Sequence, residues 1–362
     1  MSDARQADRP TQDGWPGVSA AQVLDLLRAI RGRRIAVVGD AVLDRYVYGE
    51  PVRISREAPV LILRWSGEET RLGGAANAAT NAAALGAEVE LVSLVGDDAA
   101  ADRLATLAAQ HGITAHLVRE PGRPTTVKTR FVAGGRQTVQ QQVLRLDRWE
   151  GRPPSAAAHE ALVAAAQRAV GRAEAVIVSE YGGGTVTPEL FAAVREAAER
   201  RGVPVLVDSR YRLRELKGAY AATPNRGEAE EAVGMSLVDE AALVAAGQRL
   251  VDELSLQVLV LTRGEEGMSL FFADGRPPLR VMAYRPREVY DVSGAGDAVV
   301  SAMALGLACG TDRVLAAALL ADVAAGLVVG KRGVATVSPQ EVEEALVGWI
   351  PTVYPMEAAT DR

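Results

Sequence analysis

Apolar residues along the chain follow two alternating patterns. Ile35-Ala36-Val37-Val38 is an unbroken apolar run closed by Gly39-Asp40, the mark of a strand buried on both faces. Comparable runs lie at 88–95, 174–179, 203–208, 219–223 and 257–262. Between them the apolar positions return every three or four residues. That period predicts helices over 75–85, 98–111, 155–170, 187–201, 225–233, 238–254, 295–309, 313–329 and 339–348. Ser19 is placed to cap a preceding helix that carries Leu24, Leu27 and Ile30. Such alternation predicts an α/β fold, a mostly parallel central sheet with helices on both faces.

Two stretches break the rhythm. Residues 46–64 and 125–146 are rich in β-formers and lack a helical period, and Gly134-Gly135 divides the second like a hairpin turn. Both read as strands of a small sheet projecting from the main one. Residues 1–17 read as a disordered tail, 18–350 as one folded domain, and 351–362 as a C-terminal tail.

Composition narrows the class. The chain has 362 residues, 48% of them hydrophobic and 24% charged, and a net charge of −6, which argues against nucleic acid as a partner. A single cysteine, Cys309, excludes an intramolecular disulfide and fits a reducing compartment. With only three histidines besides, an ordinary structural zinc site is not expected. The N-terminal residues are polar and the longest apolar run, 298–309, is too short to span a bilayer. The expectation is a cytoplasmic protein with no membrane partner.

The most informative stretch is Tyr290-Asp291-Val292-Ser293-Gly294-Ala295-Gly296-Asp297, which leads into a helix of small residues. Gly294 and Gly296 let the backbone turn and present its N–H groups at a helix start, an anion hole, with Asp297 in the first turn. A carboxylate beside an anion hole suits phosphoryl transfer, and equally an acidic first turn on an ordinary helix. No dinucleotide fingerprint follows the first strand, and Gly326 to Arg332 is one residue short of a P-loop and lacks its hydroxyl. Gly73, Gly74 and Asn77, together with Asp40 and Asp44, collect groups suited to sugar hydroxyls, although each residue type is also favoured at turns. Asn225 and Glu228 stand three apart, as metal-organising groups or as a capping box. Thr262-Arg263-Gly264 and Gly267 form a sharp turn after a buried strand, either lining a nucleotide or simply joining two strands.

In this order and spacing the pieces resemble the ribokinase-like (PfkB) carbohydrate kinases over roughly residues 33–348. Within that family the stretches 37–49, 53–60 and 73–87 are similar to the D-glycero-β-D-manno-heptose-7-phosphate kinases of ADP-heptose biosynthesis. The resemblance implies a three-layer α/β sandwich whose lid, 46–64 and 125–146, covers the sugar and supports a homodimer. It implies ATP and Mg²⁺, with K⁺ as a further ion near Asp291. Asp297 is implied as base, Gly294, Ala295 and Gly296 as anion hole, and Asn225 and Glu228 as organisers of Mg²⁺ and phosphates. Thr262, Arg263, Gly264 and Gly267 fall to the nucleotide; Asp40, Asp44, Gly73, Gly74 and Asn77 fall to the sugar. The implied reaction is phosphorylation of heptose 7-phosphate at the anomeric hydroxyl. Kinase action on another sugar or a nucleoside, and a non-catalytic binding role, are the alternatives.

Two positions depart from the heptose-kinase pattern. Ser179-Glu180-Tyr181-Gly182-Gly183-Gly184 has glycine at 183 in place of lysine, and Asp208-Ser209-Arg210 has arginine in place of the other lysine. Arg and Lys are not equivalent at a phosphate. Arg210, with Lys128, Arg130 and Arg145 from the lid, is the remaining cation set for a substrate phosphate. The bifunctional enzymes of that pathway carry a histidine-bearing nucleotidyltransferase motif. No histidine follows His159, so only the kinase half is expected.

Overall fold

The computed structural model describes residues 17–135, 140–284, 290–331, 333 and 335–356. The expected tail at 1–17 therefore lies, Gly17 apart, outside the described residues. In chain order the elements are α1 (Ala20–Ala29), β1 (Arg34–Gly39), β2 (Ala41–Ile54), β3 (Leu61–Gly74), α2 (Ala75–Ala84), β4 (Glu88–Gly96), α3 (Ala99–Gln110), β5 (Thr114–Glu120), β6 (Val127–Ala133) and β7 (Gln141–Arg148). There follow α4 (Ala156–Val170), β8 (Ala175–Glu180), α5 (Pro188–Glu199), β9 (Val205–Ser209), β10 (Ala221–Ala222), α6 (Arg226–Val233), α7 (Glu240–Leu254), β11 (Val258–Thr262), β12 (Met268–Phe272) and β13 (Leu279–Val281). The last are α8 (Ala295–Ala308), α9 (Val314–Val329), α10 (Pro339–Leu346) and β14 (Val353–Pro355).

Why β1 is apolar throughout is plain from its two faces. Ile35 and Val37 pack into a core with α1, α2, α3, α8, α9 and α10, while Ala36 and Val38 pack into another with α4 to α7. The large sheet runs β14-β13-β12-β11-β10-β9-β8-β1-β4-β5. Every pair from β11 to β5 is parallel, and β11 to β14 add three antiparallel pairings. The expected three-layer sandwich is the observed one. From β1 the chain builds outward to β4 and β5, then returns to build β8 to β11 on the other side. The crevice above the carboxyl ends of β1 and β8 is thus the point where strand order reverses, where ligands bind in open α/β sheets.

Four strands, β5, β12, β13 and β14, are absent from the sequence-based assignment. They are edge or antiparallel strands of three to seven residues; β5, β13 and β14 lack an apolar run, whereas β12, Met268–Phe272, is a buried apolar run that the assignment passed over. One of them corrects the C-terminal tail: Val353–Pro355 pairs with β13.

The lid is a separate sheet of order β3-β2-β6-β7. It is longer than the sequence suggested, because β2 and β3 run as one ribbon from Ala41 and Gly74 at the main sheet out to Ile54 and Leu61. Residues 136–139, within the expected hairpin connection, lie outside the described residues. Register gives the lid two unlike faces. The rows Asp44–Lys128–Asp147 and Tyr46–Arg130–Arg145 share one face, and Val47–Phe131–Leu144 lies on the other. The charged face looks onto the crevice; the apolar face looks away from it.

Candidate active site

A cavity of about 440 Å³ fills the crevice under the lid. Its floor is built by two helix starts. Side chains cap α1, α3, α4, α5, α6, α7 and α10, whereas α2, α8 and α9 begin with no side-chain cap, the first two at Gly74 and Gly294. The Ala75 N–H donates to the Asp40 carbonyl at 3.0 Å and the Ala295 N–H to the Val292 carbonyl at 3.4 Å, so the later N–H groups of each first turn are the ones a ligand could meet. Gly294 has φ 84, a left-handed value that favours glycine, and Gly74 has φ 55. A Cβ on Gly74 would overlap the Asp40 carbonyl, and one on Gly73 would overlap the Asp44 carboxylate.

Asp297 sits in the first turn of α8 and is 6% exposed. Asn77 Nδ2, from the first turn of α2, donates to Asp297 Oδ2 at 2.6 Å, and the Tyr181 hydroxyl donates to Oδ1 at 3.0 Å. The helices are locked side by side: Ser301 Oγ donates to the carbonyls of Ala78 at 2.8 Å and Asp297 at 2.6 Å. Alanines let them approach this closely, which accounts for the alanine-rich run of α2. Burial pushes the Asp297 carboxyl up to about 6, against the two hydrogen bonds, which favour its charged form. A carboxylate poised there is a working base near neutral pH.

Glu228 and Asn225 form the capping box that their spacing allows. Asn225 Oδ1 accepts the Glu228 N–H at 3.0 Å and Glu228 Oε2 accepts the Asn225 N–H at 2.9 Å, a complete capping box. Both also line the cavity, opposite Asp297 and beside Asp208. Burial raises Glu228, and burial followed by Asp297 and Glu228 holds Asp208 well above the usual carboxylate range. Glu228 and Asp208, with the Asn225 amide oxygen, are hard-oxygen groups of the type a divalent cation takes. Among the described residues no three such groups form a metal cage by themselves.

The expected sites divide. Asp44, Gly73, Gly74, Asn77, Lys128, Arg130, Arg145, Arg210, Asn225, Glu228, Thr262, Gly294, Gly296 and Asp297 all line the cavity, and Ala295 opens the helix between the two glycines. Asp40 does not face a sugar. It is 3% exposed and accepts the N–H groups of Tyr181, Gly183 and Thr185 at 2.8, 3.0 and 2.8 Å, so it organises the loop after β8. Arg263 is turned away into Glu240, Glu266 and Ser269. Gly264 and Gly267 shape the turn between β11 and β12, where a Cβ on Gly267 would overlap the Val281 carbonyl. Asp291 accepts the Ser293 N–H at 2.9 Å, a local turn. Sequence reasoning missed Tyr181, Asp208 and Thr223 as lining residues; their signal was position, at the carboxyl ends of β8, β9 and β10.

The four cations are also unequal. Arg130 Nη1 pairs with Asp44 at 2.5 Å and Arg145 with Asp147 at 2.6 Å. Lys128 and Arg210 make no salt bridge among the described residues. Lys128 Nζ lies 5.4 Å from the centre of the Tyr181 ring, and Arg210 Nε donates to the Tyr211 hydroxyl at 3.3 Å. A larger groove, about 990 Å³, opens at the opposite ends of the strands by Val258, with no comparable convergence of groups.

Residues 33–341 match the pfkB family of carbohydrate kinases. The chain belongs to that family. As a pfkB carbohydrate kinase it uses ATP and a divalent metal, and the solved structures agree on the fold. Phosphofructokinase-2 from Escherichia coli in complex with potassium aligns with TM-score 0.72 and 18% identity, over 88% of this chain and 99% of that one. Arabidopsis thaliana ribokinase complexed with ribose and ATP aligns with TM-score 0.66 and 20% identity, over 87% and 99%. Similar curated pfkB relatives include the bifunctional protein HldE of Geobacter metallireducens, 44% identical over 309 residues, covering 84% of this chain and 61% of that protein. HldE of Pseudomonas aeruginosa is 43% identical over 313 residues, covering 86% and 63%. This chain thus spans under two thirds of the length of these two relatives. Among the described residues no helix is long and apolar enough to cross a membrane.

Proposed function

We propose that this pfkB kinase phosphorylates a sugar phosphate, D-glycero-D-manno-heptose 7-phosphate, at its anomeric hydroxyl to give the 1,7-bisphosphate. The observation that carries the reading is that one cavity is lined both by a clamped carboxylate at an uncapped helix start and by two cations without a salt bridge among the described residues. Asp297 takes the proton of the attacking hydroxyl. The oxygen bonds to the γ-phosphorus of ATP as the bond to ADP breaks, and the first-turn amides at 294–296 hold the charge of the moving phosphoryl group. Lys128 and Arg210 hold the phosphate the sugar already carries. The heptose assignment draws on the resemblance of 37–49, 53–60 and 73–87 to the heptose-7-phosphate kinases, and the likeness to the bifunctional protein HldE over 84% of this chain is consistent with it.

Magnesium is the divalent ion we propose, held through Asn225 and Glu228 beside Asp208, where it would offset the negative charge of the phosphates. Asp291 is the position we propose for a potassium effect, by analogy with the potassium complex of phosphofructokinase-2. We further propose that two copies pair through the outer lid face. Trp65, Leu144 and Val60 are 66%, 57% and 56% exposed around an apolar groove of about 590 Å³ on that face. Apolar surface of this extent on an outer face marks an interaction site.

The test is ADP release with Mg·ATP across heptose 7-phosphate (both anomers), free heptoses, fructose 6-phosphate, ribose and adenosine. Turnover concentrated on heptose 7-phosphate is expected. Turnover on unphosphorylated acceptors alone overturns the substrate assignment.

A further inference from the structure

The loops after β8 and β9 are tied by the Arg210 N–H, which donates to the Glu180 carbonyl at 3.0 Å, and beyond that by the Glu180 side chain. Glu180, the last residue of β8, is 1% exposed. Its Oε1 accepts the Gly182 N–H at 2.6 Å, and its Oε2 accepts the Ser209 hydroxyl at 2.7 Å and the N–H groups of Tyr211 and Arg212 at 2.9 and 3.1 Å. Ser209 Oγ in turn accepts the Arg212 N–H at 3.0 Å. The first loop presents Tyr181 to Asp297; the second presents Arg210 to the cavity. A buried carboxylate whose partners are three N–H groups and one hydroxyl, with no paired guanidinium or ammonium, is an anchor for backbone. Every one of those donors lies on a loop that carries a cavity residue.

We propose that Glu180 is the specificity-positioning residue of this kinase: it fixes the 209–212 loop so that the Arg210 guanidinium faces the acceptor's own phosphate. The inference rests on the sugar-phosphate reading above. The charge matters as well as the shape. A glutamine at 180 keeps the volume but directs an NH₂ group at donors on one of the two loops, and an unmatched buried donor is strongly unfavourable. Residue 210 then loses its fixed bearing. Asn77 keeps its hold on Asp297.

The experiment compares Glu180→Gln, Ser209→Ala, Arg210→Ala and the Glu180→Gln/Arg210→Ala double variant. KM and kcat are measured for heptose 7-phosphate, for the free heptose and for ATP, alongside amide exchange of residues 209–212. Glu180→Gln is expected to raise KM for the phosphorylated acceptor at least tenfold, to leave KM for free heptose and ATP within about twofold, and to speed exchange at Tyr211 and Arg212. Ser209→Ala follows in the same direction with a smaller change, and it carries the test if Glu180→Gln does not fold. The double variant is expected to match Arg210→Ala alone, because both act through one guanidinium. Equal losses for all three substrates, or full additivity in the double variant, overturn the proposal. Wild-type enzyme that treats phosphorylated and free heptose alike overturns the substrate reading instead, and exchange still decides whether Glu180 holds the loop.

Discussion

At the scale of single residues, the proposed chemistry turns on the Asp297 carboxyl group and the two donors that hold it. Because burial raises Asp297 to about 6, the base is half protonated there. Turnover should therefore climb as pH rises through about 6 and level off above it. Asp297→Asn should lower kcat by about 10²- to 10⁴-fold while ATP affinity stays near wild type, measured by initial rates and calorimetry. Tyr181→Phe removes a hydrogen bond to the charged form, so the inflection should move upward by about one pH unit. An unmoved profile would show that the hydroxyl does not act on the base. Residues with a backbone reason were legible in the sequence, Gly294 with its left-handed φ above all, whereas Gly296 meets no such requirement. Asp40 was not, because an aspartate after a strand serves a loop as readily as a ligand, and three N–H groups claim it here. Arg263 misled in the same way: its neighbours in space, Glu240 and Glu266, are invisible to local spacing.

At the scale of elements, the lid is joined to the body through Arg123. This arginine is buried; it pairs with Glu120 at 2.5 Å and donates to the carbonyls of Glu150, Gly183, Arg152 and Pro153. One side chain thus binds the strap leaving β7 to the loop after β8. Removing one member of such a pair strands a buried charge, so Arg123→Ala should lose about 3–5 kcal/mol in denaturant melts. Burial alone would raise Glu120, but Arg123 and the Ser155 N–H hold its carboxyl at about 2. Its folded value lies below its unfolded one, so this contribution to stability is whole above about pH 4.5 and fades as pH falls toward 2. Acid melts of wild type should show that loss, and Glu120→Gln should flatten it. Helices were the most legible elements, since Ser19, Asp98, Ser155, Thr187, Asn225, Asp239 and Ser338 all cap as their residue types imply. The short strands β13 and β14 were not, because their order comes from cross-strand partners and not from a period of their own.

At the scale of the whole molecule, a parallel sheet supplies the crevice and a projecting sheet supplies its roof. The strand alternation that points Lys128 and Arg145 inward also points Phe131 and Leu144 outward. If the outer face pairs two copies, Trp65→Glu with Leu144→Glu should convert a dimer to a monomer by sedimentation. KM for the sugar should rise in step, since the lid would lose its support. An unchanged mass would place the interface elsewhere. The architecture was legible because alternating buried strands and amphipathic helices admit few arrangements. The choice among cations was not, since pairing with Asp44 or Asp147 appears only once the lid is folded. The proposed reaction transfers a phosphoryl group to the anomeric oxygen of a sugar already phosphorylated, and phosphorus NMR of heptose 7-phosphate with Mg·ATP follows that transfer atom by atom. ADP and a new anomeric phosphate resonance beside the retained 7-phosphate are expected, both absent with Asp297→Asn. ADP formation without an anomeric phosphate, or an undiminished product in that variant, would contradict it.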